Sequence, residues 1–136
     1  MSELTLAQAQ AALEAVTEAA AERGKAVVVA VCDRHGELLA FARMASGLLA
    51  SITIAQNKAY TAARLNRATR VLGERYSAGG AFVYFGDSRL TGFAGGLPVV
   101  LNGVICGAIG VSGLSEDEDE DFARLGLAAL VAASGA

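Results

Sequence analysis

The side chain with the most chemistry to offer is Lys58. It sits in the run "IAQNKAYTAAR", residues 54–64, with Ile54, Thr61 and Leu65 on its own helical face. A lysine among small and apolar neighbours must snorkel to water, pair with a carboxylate or line a pocket. In a pocket, an amine of lowered pKa binds carboxylates or serves in acid–base and imine chemistry. Asp33, at the end of the first predicted strand, and Asp119, in the last predicted helix, are its candidate partners for proton transfer. Backbone amides near Ser112 and Gly113 would then hold an oxyanion. The structural alternative is a Lys58–Asp33 pair, or a plain surface lysine.

His35 is the only histidine and falls in the turn-forming "DRHG", so it is predicted at a hairpin tip facing solvent. One histidine offers neither a zinc-ligand spacing nor a recognisable Ser-His-Asp arrangement. The acidic run Glu116–Asp121 invites a metal reading. Consecutive acids on a helix point in all directions, however, and negative charge is favourable at a helix start. The run is therefore expected to be a solvated helix N-terminus, with no metal. Gly103, Gly107, Gly110 and Gly113 form neither G-x-G-x-x-G nor a P-loop, because no Gly-Lys-Ser/Thr follows. They are expected to serve packing or to line a cavity. Gly113 differs in lying just before Ser115, where backbone N–H groups can hold an anion such as a carboxylate.

These residues need elements to position them. Leu6, Ala9, Leu13, Val16 and Ala20 recur at helical spacing and predict a helix from about Thr5 to Arg23, stopped by Gly24. "KAVVVAVCD" and "ELLAFAR" predict a hairpin over residues 25–43. Ser51 is expected to cap a helix from Ile52 to about Leu65, followed by a weaker one in "TRVLGERY". A short strand or extended piece is expected near Phe82–Phe85. Asn102-Gly103 between two apolar runs predicts a second hairpin, because both turn residues tolerate positive φ. Gly107 and Gly110 then lie inside its second strand, where something must need the space. Ser115 and Glu118 stand at capping-box spacing, opening a helix that continues through Phe122, Leu125, Ala129 and Leu130. Strands that come in hairpins predict an α+β fold, a mainly antiparallel sheet with helices packed on it, in one domain over residues 1–136.

Hydrophobic residues make up 54% of the chain and charged residues only 18%. The excess is largely alanine and valine, in runs too short to span a bilayer, so no membrane association is expected. Subunit contacts would use the spare apolar surface, and a homo-oligomer is expected. A net charge of −3 with scattered basic residues argues against a nucleic-acid partner. The N-terminal residues lack a basic start followed by an apolar core, so a cytoplasmic location is expected. Cys32 and Cys106 read as small buried thiols.

Taken together, "VVAVCDRHGELLAFARM", "IAQNKAYTAAR", "GGLPVVLNGVICGAIGVSG" and "DEDFARLGLAAL" resemble the GlcG/HbpS-like family, which includes the C-terminal domain of PduO-type proteins. The similarity runs from about Val28 to Leu130. It implies a profilin-like outline, assembly into homo-oligomers and an association with haem binding, redox sensing, cobalamin metabolism or catabolic operons. By the family pattern Asp33, Lys58, Gly95, Gly96, Pro98, Gly107, Gly110, Ser112, Gly113 and Asp119 fall on motif positions. Lys58, Gly95, Gly96, Ser112 and Gly113 are then the expected small-ligand site. The family has a glycine where Leu114 stands and Thr-Pro where Ser115-Glu116 stand, which alters the loop before the last helix. Haem iron needs an axial ligand. His35 is the candidate, with Met44, Tyr60, Tyr76, Tyr84 and the two cysteines the other side chains able to ligate. Two functions are expected from this reading. One is a small-ligand accessory or sensor protein, binding haem or a related tetrapyrrole. The other is a small cofactor-independent isomerase, lyase or tautomerase acting on a carboxylate or carbonyl metabolite through Lys58 with Asp33 or Asp119.

Overall fold

The structure is a computed structural model that describes residues 3–79 and 81–135. Val28–Asp33 (β1) and Leu38–Arg43 (β2) form the first hairpin, Gly96–Leu101 (β3) and Val104–Ser112 (β4) the second. Asn102 (φ 51°) and Gly103 (φ 77°) make the two-residue turn that the Asn-Gly pair predicts. The hairpins join through β1 and β4 into one antiparallel sheet of order β2-β1-β4-β3. The α+β prediction holds.

Strand alternation divides the core into two layers. Val29, Val31, Ile109 and Val111 point to one face, where α1 (Leu6–Glu22) and α4 (Glu116–Ser134) cover them with Ala12, Val16, Phe122 and Leu130. Val28, Ala30, Cys32 and Ala108 point to the other face and meet Ala55, Ala59, Ala62 and Ala63 of α2 (Ser51–Leu65). The large side chains thus serve the two-helix layer and the small ones the single helix. Alanine against alanine brings α2 close to the sheet. Gly96 and Gly110, which pair in register, bring it closer still. A Cβ on Gly110 would stand 2.2 Å from the Ala55 carbonyl oxygen, and one on Gly96 2.5 Å from that of Lys58. This close backbone is what the strand-interior glycine accommodates.

The helix ends follow local rules in part. Thr5 and Gln8 form a full capping box on α1, and the Ser115 hydroxyl accepts the Glu118 N–H on α4. Ser51 departs from expectation. Ala50 is the N-cap of α2, and the Ser51 hydroxyl instead bonds the Ser112 hydroxyl at 2.9 Å in the buried layer between helix and sheet. The helix Thr69–Ser77 (α3) forms as predicted. Residues Ala81–Phe85 are a 3₁₀ turn and not a strand. Such a short piece becomes a strand only against a sheet edge. Here the backbone closes its bonds locally, three residues apart. No helix among the described residues is long and apolar enough to cross a membrane.

Gly110→Ala is expected to destabilise the fold by about 1–3 kcal/mol through this clash. Gly103→Asn, in open space at a φ that asparagine tolerates, should change stability by about 0.5 kcal/mol or less. Urea unfolding of the two variants checks the contrast; equal midpoints would mean that α2 does not need the bare backbone.

Candidate functional site

Lys58 leaves α2 directly over Gly110 and reaches across to α4. Its Nζ donates to the Val111 carbonyl oxygen at 2.8 Å and to Asp119 Oδ2 at 3.0 Å. The two side chains are 2% and 3% exposed, so the pair is buried. The passage between layers runs past Gly95. A Cβ there would stand 2.8 Å from Nζ and 3.0 Å from the Asp119 Cβ, and φ is +127°. The two adjacent glycines therefore do different work: Gly95 clears the ion pair, Gly96 clears the helix backbone. Thr69, fully buried, anchors this corner by accepting from Gly96 N–H at 3.0 Å and donating to the Phe93 carbonyl at 2.7 Å.

The loop before α4 does hold an anion, and the anion is the chain's own. Asp119 Oδ1 accepts the Leu114 N–H at 3.0 Å. Burial pushes the Asp119 carboxyl up and the Lys58 amine down, and in each case the partner's opposite charge opposes the shift. Gly113 (φ +130°) bends the chain into this loop, and Ser112 is tied to Ser51.

Asp33 is elsewhere. Its Oδ1 accepts the N–H groups of His35 (2.8 Å) and Glu37 (3.1 Å), closing the β1–β2 turn. The Lys58–Asp33 pair is thus replaced by Lys58–Asp119. The turn presents His35 to solvent beside a small recess of about 160 Å³ that Leu4, Leu39 and Cys106 also line. The His35 carbonyl accepts Arg64 Nε at 2.7 Å, which ties the turn to the end of α2.

One constellation escaped the sequence reading. The guanidinium groups of Arg64 (4.6 Å) and Arg89 (3.9 Å) both lie over the Tyr60 ring, while its hydroxyl donates to Asp87. That hydrogen bond raises the Tyr60 pKa and lowers that of Asp87. The i, i+4 spacing of Tyr60 and Arg64 was the available signal. Nothing local announces Asp87 or Arg89. The acidic run is also resolved residue by residue. Glu116 accepts the Ala94 N–H, Asp117 and Glu120 hold Arg70, Glu118 pairs with Lys25, and Glu120 and Asp121 hold Arg124. Two grooves larger than the His35 recess flank α3, of about 840 and 530 Å³.

Lys58→Met would leave a buried carboxylate without its cation and is expected to cost about 3–5 kcal/mol. Adding Asp119→Leu should recover part of that loss in the same thermal or urea unfolding series. A double variant no better than the single one would deny the charge-pairing account. Burial pushes the Cys32 thiol up to about 12 and raises that of Cys106. At pH 8 neither should react with a disulfide reagent until the protein is unfolded, when both should; fast labelling of the native chain would refute this.

Comparison with known proteins supplies the family. The chain matches the family described as haem degrading protein HbpS-like over residues 4–128. It is 38% identical over 109 residues to protein GlcG of Escherichia coli (strain K12), covering 80% of this chain and 81% of that protein. The crystal structure of Klebsiella pneumoniae protein ORFY superposes with a TM-score of 0.91 at 34% identity, covering 97% and 94% of the two chains. That of PduOC in complex with haem superposes with a TM-score of 0.86 at 30% identity, covering 94% and 95%. The glycine that clears the Lys58–Asp119 bridge thus sits in a fold shared along the chain's length with these proteins, and the chain belongs to the HbpS-like family.

Proposed function

We propose that the protein is a homo-oligomeric accessory or sensor protein that binds haem or a related tetrapyrrole. The observation that carries this reading is the likeness, over 94% of the chain, to a relative solved with haem bound. The donor set fits a haem ligated from the surface. Cys32 and Cys106 are buried thiols with raised pKa values, so neither offers a thiolate. The Met44 sulfur accepts the Val27 N–H at 3.4 Å. His35 is exposed on a turn that Asp33 and Arg64 hold in place; its Nε2 accepts only a surface hydrogen bond from Arg34 Nε at 3.3 Å, which an iron taking that nitrogen would displace. Haem, when bound, would supply an iron centre for ligand exchange or one-electron chemistry.

The recess beside His35 is about 160 Å³. Small-molecule sites usually start near 300 Å³. A porphyrin ligated there would be only partly covered by this recess, and a neighbouring subunit is the natural source of further cover. Leu48 and Leu49, 60% and 70% exposed, are apolar surface that an assembly would use.

The enzymatic alternative rests on Lys58. Its amine is buried and already donates to Val111 and Asp119, so a substrate would have to displace one of them to reach it. That favours a structural role for the pair.

Titrating the purified protein with haemin and following the Soret band tests the reading. A saturable end-point at a fixed ratio to subunits is expected, weakened by about tenfold or more in His35→Ala if that imidazole ligates iron. A featureless, non-saturating rise would overturn the haem reading. Light scattering after size exclusion should give a multiple of the 13.8 kDa chain mass, and a monomer would refute the assembly.

A further inference from the structure

Most of the chain's cations are already spoken for. Lys25, Lys58, Arg70 and Arg124 are paired with carboxylates, while Arg23, Arg64 and Arg89 lie over aromatic rings. Arg67 and Arg75 are different. Among the described residues neither has an ion pair or a ring contact, and the one bond from either side chain is Arg67 Nε to the Leu65 carbonyl at 3.2 Å. Both are exposed, and both line the same groove of about 530 Å³.

The rest of that groove is apolar. Leu72, 3% exposed, belongs to the buried core beneath α3. Leu65 comes from the end of α2 and Phe85, 58% exposed, from the 3₁₀ turn, and Ala78 completes the wall. No carboxylate stands among the described lining residues. The groove on the other side of α3 is the opposite case. Glu74 and Glu116 line it, and Arg70, the one arginine among its described lining residues, is held by Asp117 and Glu120. In a chain of net charge −3, two unneutralised guanidinium groups around an apolar groove select an apolar anion. The volume lies in the range of small-molecule sites, about 300–1,000 Å³. The planar fork of arginine suits carboxylates in particular.

We infer that this groove seats an apolar dicarboxylate, its body on Leu65, Leu72, Ala78 and Phe85 and its two carboxylates on Arg67 and Arg75. The inference deepens the haem reading, and rests on it for the choice of a porphyrin as that dicarboxylate. It places a ring and its propionates in a seat separate from the recess beside His35, with which it shares no lining residue, and it is tested without iron.

Iron-free protoporphyrin IX, followed by its own fluorescence, is therefore the probe, with haemin titrated in parallel. The chains are wild type, Arg67→Ala/Arg75→Ala and Arg67→Lys/Arg75→Lys. Circular dichroism and the thermal midpoint confirm folding, which surface changes should leave intact. Saturable wild-type binding of protoporphyrin is expected, weakened about tenfold or more in the alanine variant and partly restored by lysine. The dimethyl ester, which lacks the charges, should bind wild type as weakly as protoporphyrin binds the alanine variant. Unchanged affinity in the alanine variant overturns the seat, and saturable haemin binding in that case leaves the haem reading standing. Arginine-dependent protoporphyrin binding without saturable haemin binding keeps the seat as a dicarboxylate site and removes the haem reading. No saturable binding of either probe overturns both.

Discussion

The backbone of α2 rests on the backbone of the sheet. That contact, made at Gly96 and Gly110, governs the rest of the structure. Ordinary helix-on-sheet packing keeps the two backbones apart by the depth of interleaved side chains. Here alanines and glycines remove that spacer over the strip where β3 and β4 pair. The close seat has an energetic reason, because a dense interface of small groups gains dispersion contacts from backbone atoms. It also has a geometric consequence. A lysine at position 58 starts low enough over the sheet to pass its end and meet a carboxylate in the opposite layer.

The Lys58–Asp119 bridge is then a bolt through the sandwich. It joins α2 to α4 across the end of β4, and its hydrogen bonds to Val111 and Leu114 satisfy both ions locally. Such a pair adds little net stability over an apolar substitute, but losing one member leaves a buried charge. It therefore specifies how the layers are registered more than it strengthens them. The loop before α4 is shaped by the same carboxylate. At residue 114 the N–H goes to this carboxylate, φ is not in the left-handed region and the side chain packs against the core, so leucine serves where the resemblance implies glycine. Ser115 caps α4, where the resemblance implies threonine.

The proposed binding chemistry lies away from this bolt. The turn carrying His35 is fixed by Asp33 below it and by Arg64 beside it, so a surface imidazole is held on a rigid base. The apolar groove with Arg67 and Arg75 opens from the same end of α2. The buried polar residues stabilise the scaffold, and the exposed turn and groove are where a ligand can arrive without displacing them.

The sequence by itself determined what short-range physics controls. Helical periodicity, the Asn102-Gly103 turn, the Ser115 cap and the β-branched run of β1 each depend on neighbours within a few residues, and each reappears in the fold. The motif residues around Lys58 and Gly95 were legible as a group, but their tasks were not. Lys58 chose Asp119, 61 residues away, over Asp33, because the fold sets β4 under α2 and leads from the end of β4 into α4, while the hydrogen bonds of the β1–β2 turn consume Asp33. Ser51 left its expected capping role once Ser112 arrived opposite it. Tyr60 acquired Asp87 and Arg89 from a loop whose path no local pattern predicts. Local rules cannot rank partners of equal chemistry at long separation; only the packed layers, by fixing which groups lose their water together, make that choice.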